Sequence, residues 1–266
     1  MSEYRLNLSG RTTLTGRCTG MKIAVLGGTG LIGSQVVKIL KAAGHEAVPL
    51  SPSTGVDLLT GQGLSDGLAG AQVVVNLTNS PTFDEASPAF FQTTMDNLLA
   101  AAAHAGVGHA VILSIVGVDQ VSDLDYYRAK SLQEEILTAG PIPYSIVRAT
   151  QFFEFVESIL SWTADDTTVR LPSTPVQPMA AADVAQAVAE VSMGAPLRGI
   201  RNVAGPDVFA LDELGRITLA ARGDQRTVTT DNTAGMFAAM SGDVLIAGDD
   251  AVIAPTAYRE WLGRQV

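Results

Sequence analysis

The chain is short of several things that would point to particular chemistries. It holds one cysteine, Cys18, and three histidines in 266 residues. A single thiol cannot close an intramolecular disulfide, and no His, Cys, Asp or Glu grouping has metal-ligand spacing, so neither a disulfide framework nor a metal centre is expected. That usage suits a reducing, cytoplasmic setting. Positive charge is scarce as well. Seventeen Lys and Arg stand against 27 Asp and Glu, a formal net charge of −10. With no clustered basic stripe, the balance argues against a nucleic-acid partner. Charged residues make up only 17% against 47% hydrophobic, a globular and not a disordered composition.

A long apolar run is nearly present. Leu98 to Val118 carries no Asp, Glu, Lys or Arg, about the length of a membrane-spanning helix. Gly106 and Gly108 interrupt it, and His104, His109 and Ser114 lie along it. An Ala-rich helix, a glycine turn and a buried strand explain it better, and no membrane association is expected. Residues 1–20 are polar and Thr-rich, with no apolar core of a signal peptide. Met21 directly precedes the first strand, so 1–20 are expected to be a disordered extension from an upstream start codon.

What is there is an alternation. Lys22 to Leu26 reads as a strand, Leu31 to Ala43 as a helix closed by Gly44, and Glu46 to Leu50 as a second strand. Helices are expected at Leu64 to Ala69, Ala89 to Ala105 and Leu124 to Ala139. Strands are expected at Gln72 to Leu77, Ala110 to Ile115 and Tyr144 to Arg148. Near-continuous Val/Ile/Leu strands between helices indicate a parallel sheet covered on both faces. The expected fold class is therefore α/β, a Rossmann doubly wound parallel sheet over 21–150 with a small C-terminal substrate-side lobe. That lobe, 151–266, is read as interleaved with the last sheet strands in one structural unit. Within it, Phe152 to Trp162, Ala182 to Met193 and Leu211 to Ala221 read as helices, and Val176 to Met179 and Arg201 to Ala204 as strands.

Gly27, Gly30 and Gly33 stand three apart between the first strand and the first helix, in the run Gly27-Gly28-Thr29-Gly30-Leu31-Ile32-Gly33. The first glycine permits a tight turn, the second lets a pyrophosphate approach the backbone, and the third allows close packing of helix on sheet. The free N–H groups at the helix start, from Thr29 to Ile32, would face the phosphates. A glycine pattern alone is weak, but here the strand, turn, helix and second strand surround it. An acidic residue ending the second strand would mark NAD, and an Arg there NADP. The sequence reads Pro49-Leu50-Ser51-Pro52-Ser53-Thr54, with neither. Ser51 and Ser53 can bond a phosphate and no carboxylate repels it, which tips the reading to NADP, with NAD the alternative. Asp57 is a candidate for the adenine amino group, or equally a loop cap.

Tyr126 and Lys130 are one helical turn apart, on one face. An ammonium beside a phenol favours the phenolate, which suits a tyrosine that exchanges a proton with substrate. Ser114, at the end of the preceding strand, could hold the substrate oxygen. Together with the glycine turn, Leu113-Ser-Ile-Val-Gly-Val118, Tyr126-Tyr-Arg-Ala-Lys130, Pro143 to Phe155 and Asp183-Val-Ala185, these residues resemble the short-chain dehydrogenase/reductase superfamily, in its atypical NmrA-like NAD(P)-binding branch. The resemblance spans about Met21 to Val266. It implies that Ser114, Tyr126 and Lys130 match the catalytic trio, with Lys130 also holding the nicotinamide ribose. It further implies that Thr78 sits beside the cofactor and Ala149 to Phe152 near the nicotinamide. The superfamily's active-site Asn has no match: its place falls near Phe91, and Asn97 one turn on reads as a fold brace.

Gln151, Phe152, Phe153 and Phe155 are candidates for a substrate pocket, with core packing the competing role for the aromatics. His45 is expected to be exposed. The function that follows is an NAD(P)H-dependent oxidoreductase of the short-chain type, moving hydride to or from a small carbonyl, quinone or similar molecule. A dinucleotide sensor without turnover and an NAD(P)-dependent epimerase or isomerase are the alternatives. Substrate identity and oligomeric state are left open.

Overall fold

The structure, a computed structural model, describes residues 20–82, 84–240 and 242–265. The expected extension, apart from residue 20, lies outside the described residues. Lys22–Leu26 (β1), Glu46–Leu50 (β2), Val73–Asn76 (β3), His109–Ile115 (β4) and Tyr144–Ala149 (β5) form the parallel core of a seven-stranded sheet. Two later strands extend it, Ile200–Ala204 (β8) and Val252–Ile253 (β11), giving the order β11-β8-β5-β4-β3-β1-β2. Every pairing in this sheet is parallel. The architecture is a Rossmann-like α/β fold.

Strand side chains alternate faces, so each strand feeds two cores. Ile23 and Val25 of β1 face Leu31–Ala42 (α1) and Ala181–Met193 (α6), where Val36, Leu40, Val184 and Val188 are fully buried. Ala24 and Leu26 face the other side, covered by Leu64–Leu68 (α2), Ser87–His104 (α3) and Asp125–Ala139 (α4). The apolar run at Leu98 to Val118 resolves into the end of α3, a turn at Gly106 (φ 72°) and β4. Among the described residues no helix is long and apolar enough to cross a membrane.

The chain runs from β1 outward to β2, then returns across β1 to β3. The two carboxyl ends that diverge there, β1 and β3, make the crevice where ligands bind in such sheets. A side chain on Gly27 (φ 71°) would sit 3.1 Å from Leu77 backbone atoms, so the turn after β1 and the exit of β3 are in close contact. On the far flank, α4 is clamped to the sheet by Arg148 of β5. Its guanidinium donates to both carboxylate oxygens of Glu134 at 2.9 and 2.6 Å, and to Asp119 at 3.0 Å. Such a fork-on-carboxylate pair fixes orientation as well as distance.

A third core belongs to the C-terminal half. It gathers Val156–Ser161 (α5), Thr168–Leu171 (β6), Leu211–Arg222 (α7) and Tyr258–Gly263 (α8), with two small sheets: β6 with Thr227–Thr230 (β10), and Pro175–Val176 (β7) with Phe209–Ala210 (β9). The helix expected over Phe152 to Trp162 is broken. Phe152 is extended and bridges to Met179, Phe153–Phe155 is a single 3-10 turn, and only then does α5 begin. Proline at 178 limits the expected Val176 to Met179 strand to Pro175–Val176 plus that one bridge. His45 is half-buried, and its Nδ1 accepts from the Met21 amide at 3.1 Å.

Phe153 is 1% exposed, with its ring 4.9 Å from Tyr258 and 5.4 Å from Trp261. It is therefore a core residue holding α8 onto the lobe, and not a pocket residue. Phe153→Ala is expected to cost about 3–5 kcal/mol of stability through lost burial and the cavity it leaves. Urea denaturation followed by circular dichroism checks this, and a cost under about 1 kcal/mol would return Phe153 to the surface.

Candidate functional site

Two cavities meet at the carboxyl edge of the sheet. The first, about 270 Å³, runs along the glycine turn and is lined by Gly27, Gly30, Leu31, Ile32 and Gly33 on one side. Thr78, Asn79, Ser114, Tyr126 and Lys130 line it on the other. The second, about 180 Å³, lies beneath α5 and is bounded by Ala149 to Phe152, Ile159, Trp162 and Phe237. Asn79, Ser114, Ile115, Tyr126, Phe152 and Phe155 belong to both walls.

The glycines divide their roles. A Cβ on Gly33 would lie 2.1 Å from the Gly27 carbonyl oxygen, and one on Gly28 2.6 Å from that of Val25, so the turn itself demands glycine at both. Gly30 is different: its Cβ would meet only Gly27 O, at 3.3 Å, and its backbone is extended (φ −79°, ψ −176°). Glycine is less strictly required at 30 than at 28 or 33, and the open side of Gly30 leaves room for a ligand to approach the backbone. The helix behind it has no side-chain cap and no acidic residue in its first turn. Its N-terminal amides and positive end are thus available to an anion. These features fit a dinucleotide pyrophosphate.

Not every cofactor candidate reaches this cavity. Thr29 is exposed at the tip of the turn, outside the lining. Ser51 and Ser53, just past β2, bond each other at 2.8 Å, and Thr54 donates to the Ser51 carbonyl at 2.9 Å. Asp57 Oδ1 accepts from the amide of Leu59 at 2.8 Å and closes its own turn, the geometry of a loop cap. Asn97 braces the same loop, donating to the carbonyls of Leu58 and Leu59. Thr78 is held at the cavity wall by its amide and hydroxyl, which both donate to Asn76 Oδ1 at 3.0 and 2.7 Å.

The expected coupling of Tyr126 and Lys130 is not the one formed. Lys130 Nζ donates to the Leu113 carbonyl at 2.7 Å and to Gln133 Oε1 at 2.5 Å, and lies 5.1 Å from the centre of the Phe91 ring. Full burial pulls its pKa down to about 8, with Glu134 opposing. Tyr126 instead donates to Asn79 Oδ1 at 2.8 Å. Burial pushes the phenol up to about 12, against the pull of the Asn79 hydrogen bond. The phenolate is disfavoured where the sequence led us to expect it to be favoured, because desolvation outweighs any distant ammonium. Ser114 Oγ is buried and makes no hydrogen bond among the described residues, so it is open to a ligand.

Asn79 is the residue that sequence reading missed. The superfamily's Asn was sought on α3, where Phe91 stands, whereas this one follows β3 by three residues and reaches Tyr126 from there. Its signal was its position, directly after Thr78 on the cofactor-facing strand end. Trp162, Met236 and Phe237 were missed as well, since they come from separate segments of the lobe.

Residues 27–193 match a family model described as NAD(P)H-binding. The chain belongs to that NAD(P)H-binding family. This agrees with the short-chain dehydrogenase/reductase resemblance carried by the motifs. No curated protein sequence matches the chain. Among solved structures, it is similar to the triphenylmethane reductase of Citrobacter sp. complexed with NADP(H), at 17% identity and TM-score 0.67 over 92% of this chain and 99% of that one. It is also similar to UDP-N-acetylglucosamine 4-epimerase of Bacillus cereus, at 18% identity and TM-score 0.65 over 92% and 98%. A dTDP-4-dehydrorhamnose reductase of Clostridium acetobutylicum aligns at 18% and TM-score 0.64 over 79% and 84%. At these identities the likeness is one of fold, shared by reductases and epimerases.

Two outcomes follow for this NAD(P)H-binding protein. Gly33→Ala is expected to lower its unfolding temperature without ligand, whereas Gly30→Ala leaves that temperature within a few degrees and weakens dinucleotide binding roughly ten-fold or more. Thermal melts with and without dinucleotide separate the two. For Lys130, the folded chain sheds its proton near pH 8 while the unfolded chain keeps it to about 10.5. The unfolded state binds more protons in that window, so stability rises with pH there. The unfolding free energy of wild type relative to Lys130→Met should rise by on the order of 2 kcal/mol between pH 8 and 10. A flat difference would mean that Lys130 is solvated.

Proposed function

We propose that this protein is an NAD(P)H-dependent oxidoreductase that moves hydride to or from a small organic carbonyl, quinone or similar substrate. The observation that supports this best is the shared wall of the two cavities. It carries a buried hydroxyl with no hydrogen-bond partner among the described residues, Ser114, and the phenol of Tyr126, between the glycine-lined space and the apolar one.

A bound nicotinamide dinucleotide supplies or accepts the hydride. The amides at the start of α1 would bind its phosphates, and Lys130, on the same cavity wall, would bond its sugar. Ser114 donates or accepts at the substrate oxygen. Tyr126 supplies the proton: with its pKa pushed up to about 12, the phenol stays protonated through neutral pH and acts as an acid in the reducing direction. To do so it turns its O–H from Asn79 toward substrate. The absence of a carboxylate at the end of β2 favours NADP over NAD.

A second reading, a dinucleotide sensor without turnover, is favoured by one feature. Lys130 is bound to Leu113 and Gln133, and not to the phenol it would activate.

Tyr126→Phe decides between them. It is expected to lower kcat for reduction by about 10²–10⁴-fold while dinucleotide affinity stays within a few-fold. Steady-state kinetics over a carbonyl and quinone panel, beside fluorescence titration with the dinucleotide, check both values. Unchanged turnover removes Tyr126 from the mechanism. Dinucleotide binding with no turnover by wild type on any of the panel favours the sensor.

A further inference from the structure

The apolar cavity holds more unpaired polarity than its apolar walls suggest. Three side chains lining it have buried polar atoms with no hydrogen-bond partner among the described residues: Ser114 Oγ, Thr150 Oγ1, and both Nε2 and Oε1 of Gln151. A buried, unpaired amide is costly, and native folds seldom leave one without a use. Ser114 is accounted for by the reaction proposed above. Gln151 is not.

Its position is held from both sides. The Gln151 carbonyl accepts from the Met179 amide at 2.8 Å, and the Met179 carbonyl accepts from the Phe153 amide at 2.9 Å. That short parallel pairing keeps Gln151 and Phe152 extended between β5 and the 3-10 turn, which fixes where the carboxamide starts. Around it stand Phe152, Phe155, Trp162 and Phe237, with Trp162 stacked on Phe237 at 13° between planes. Among the described residues no Lys, Arg, His, Asp or Glu lines the cavity. Nothing in it would neutralise a diphosphate, and nothing would balance a fixed cation except ring faces. Its volume of about 180 Å³ is below the roughly 300–1,000 Å³ of sites that enclose drug-sized molecules.

We propose that this cavity takes a small, flat, uncharged aromatic molecule that carries a hydrogen-bond donor and an acceptor side by side, and that Gln151 is the residue that reads that edge. A carboxamide offers an N–H and a C=O on one carbon, so its complement is the same pair reversed, as on the edge of a lactam. Aromatic walls fix the plane of the molecule and the amide fixes its rotation within that plane. Thr150, the residue before it, also lines the cavity and has a buried hydroxyl without a hydrogen-bond partner among the described residues. This deepens the oxidoreductase reading and rests on it only for which atom of the molecule reacts. Recognition by Gln151 stands on the cavity alone.

The test uses two molecules of nearly the same shape. 2-Quinolinone presents N–H beside C=O, while coumarin replaces that N–H by a ring oxygen and keeps the carbonyl. Each is titrated by calorimetry into the full chain without dinucleotide, with UDP-glucose as a third arm for a nucleotide-sugar site. The expected result is roughly ten-fold or more tighter binding of 2-quinolinone than of coumarin, because the lactone oxygen leaves Gln151 Oε1 facing another acceptor. UDP-glucose should not displace it. Gln151→Leu should bring the two affinities together. Equal affinities in wild type, no binding of either, or displacement by UDP-glucose overturns the proposal, and this comparison needs no variant to fold. Discrimination that persists in Gln151→Leu also overturns it. A failure of dinucleotides to bind, measured separately, would fall on the oxidoreductase reading and leave the Gln151 result standing.

Discussion

The backbone-on-backbone contact between the start of α1 and the turn after β1 is the constraint from which the site follows. Gly33 lies so close to the Gly27 carbonyl that any side chain there would overlap it. The helix therefore begins directly over the strand end, with its uncapped amides at the crevice between β1 and β3. Moved outward by the width of one methyl group, the same helix would still cover the sheet, but its positive end would no longer close on the cavity along the glycine turn. Gly27 completes the arrangement by lying against Leu77, which brings the strand carrying Thr78 and Asn79 to the opposite wall. The uncapped start of α1 and the wall carrying Thr78 and Asn79 are thus two sides of one packing contact.

The central sheet was readable from sequence because its strands are continuous buried runs with punctuating glycines. Val73-Val74-Val75 or Ala110 to Ile112 has no other stable place than a sheet covered on both faces. The lobe was less readable for a physical reason as well. Thr227–Thr230 is a polar, largely exposed strand that forms only because β6 offers it an edge, and Val252–Ile253 is two residues long. Neither has a period to detect. Phe152 to Trp162 carries a helical pattern, yet its first residues are drawn out of the helix by Met179, which is distant in sequence. Long-range backbone pairing overrode local preference.

The candidate site divides along the same line. Residue types and spacing brought Ser114, Tyr126 and Lys130 to one wall. They did not foretell which of them pair. The spacing of Tyr126 and Lys130 puts both on one helix face, but a side chain as long as lysine selects among several partners. Here it finds the Leu113 carbonyl and Gln133. Phe153 and Phe155, two apart, separate completely: one is buried against Tyr258 and Trp261, and the other is 42% exposed at the mouth of both cavities.

Phe91 connects these observations. At the position where the superfamily resemblance leads one to look for an Asn, a fully buried phenyl ring lies against the lysine ammonium. An amide there could hydrogen-bond the lysine or hold water beside it. A ring face offers only its quadrupole, which is weaker compensation for lost solvent. The low proton affinity of Lys130 and its recourse to a main-chain carbonyl are what that environment dictates. The Tyr126 hydroxyl is held from the exit of β3, where Asn79 Oδ1 accepts from it at 2.8 Å. The phenol therefore takes its orientation from the strand that borders the glycine-lined cavity, and a change in that strand's exit would move the Tyr126 hydroxyl and the cavity wall together.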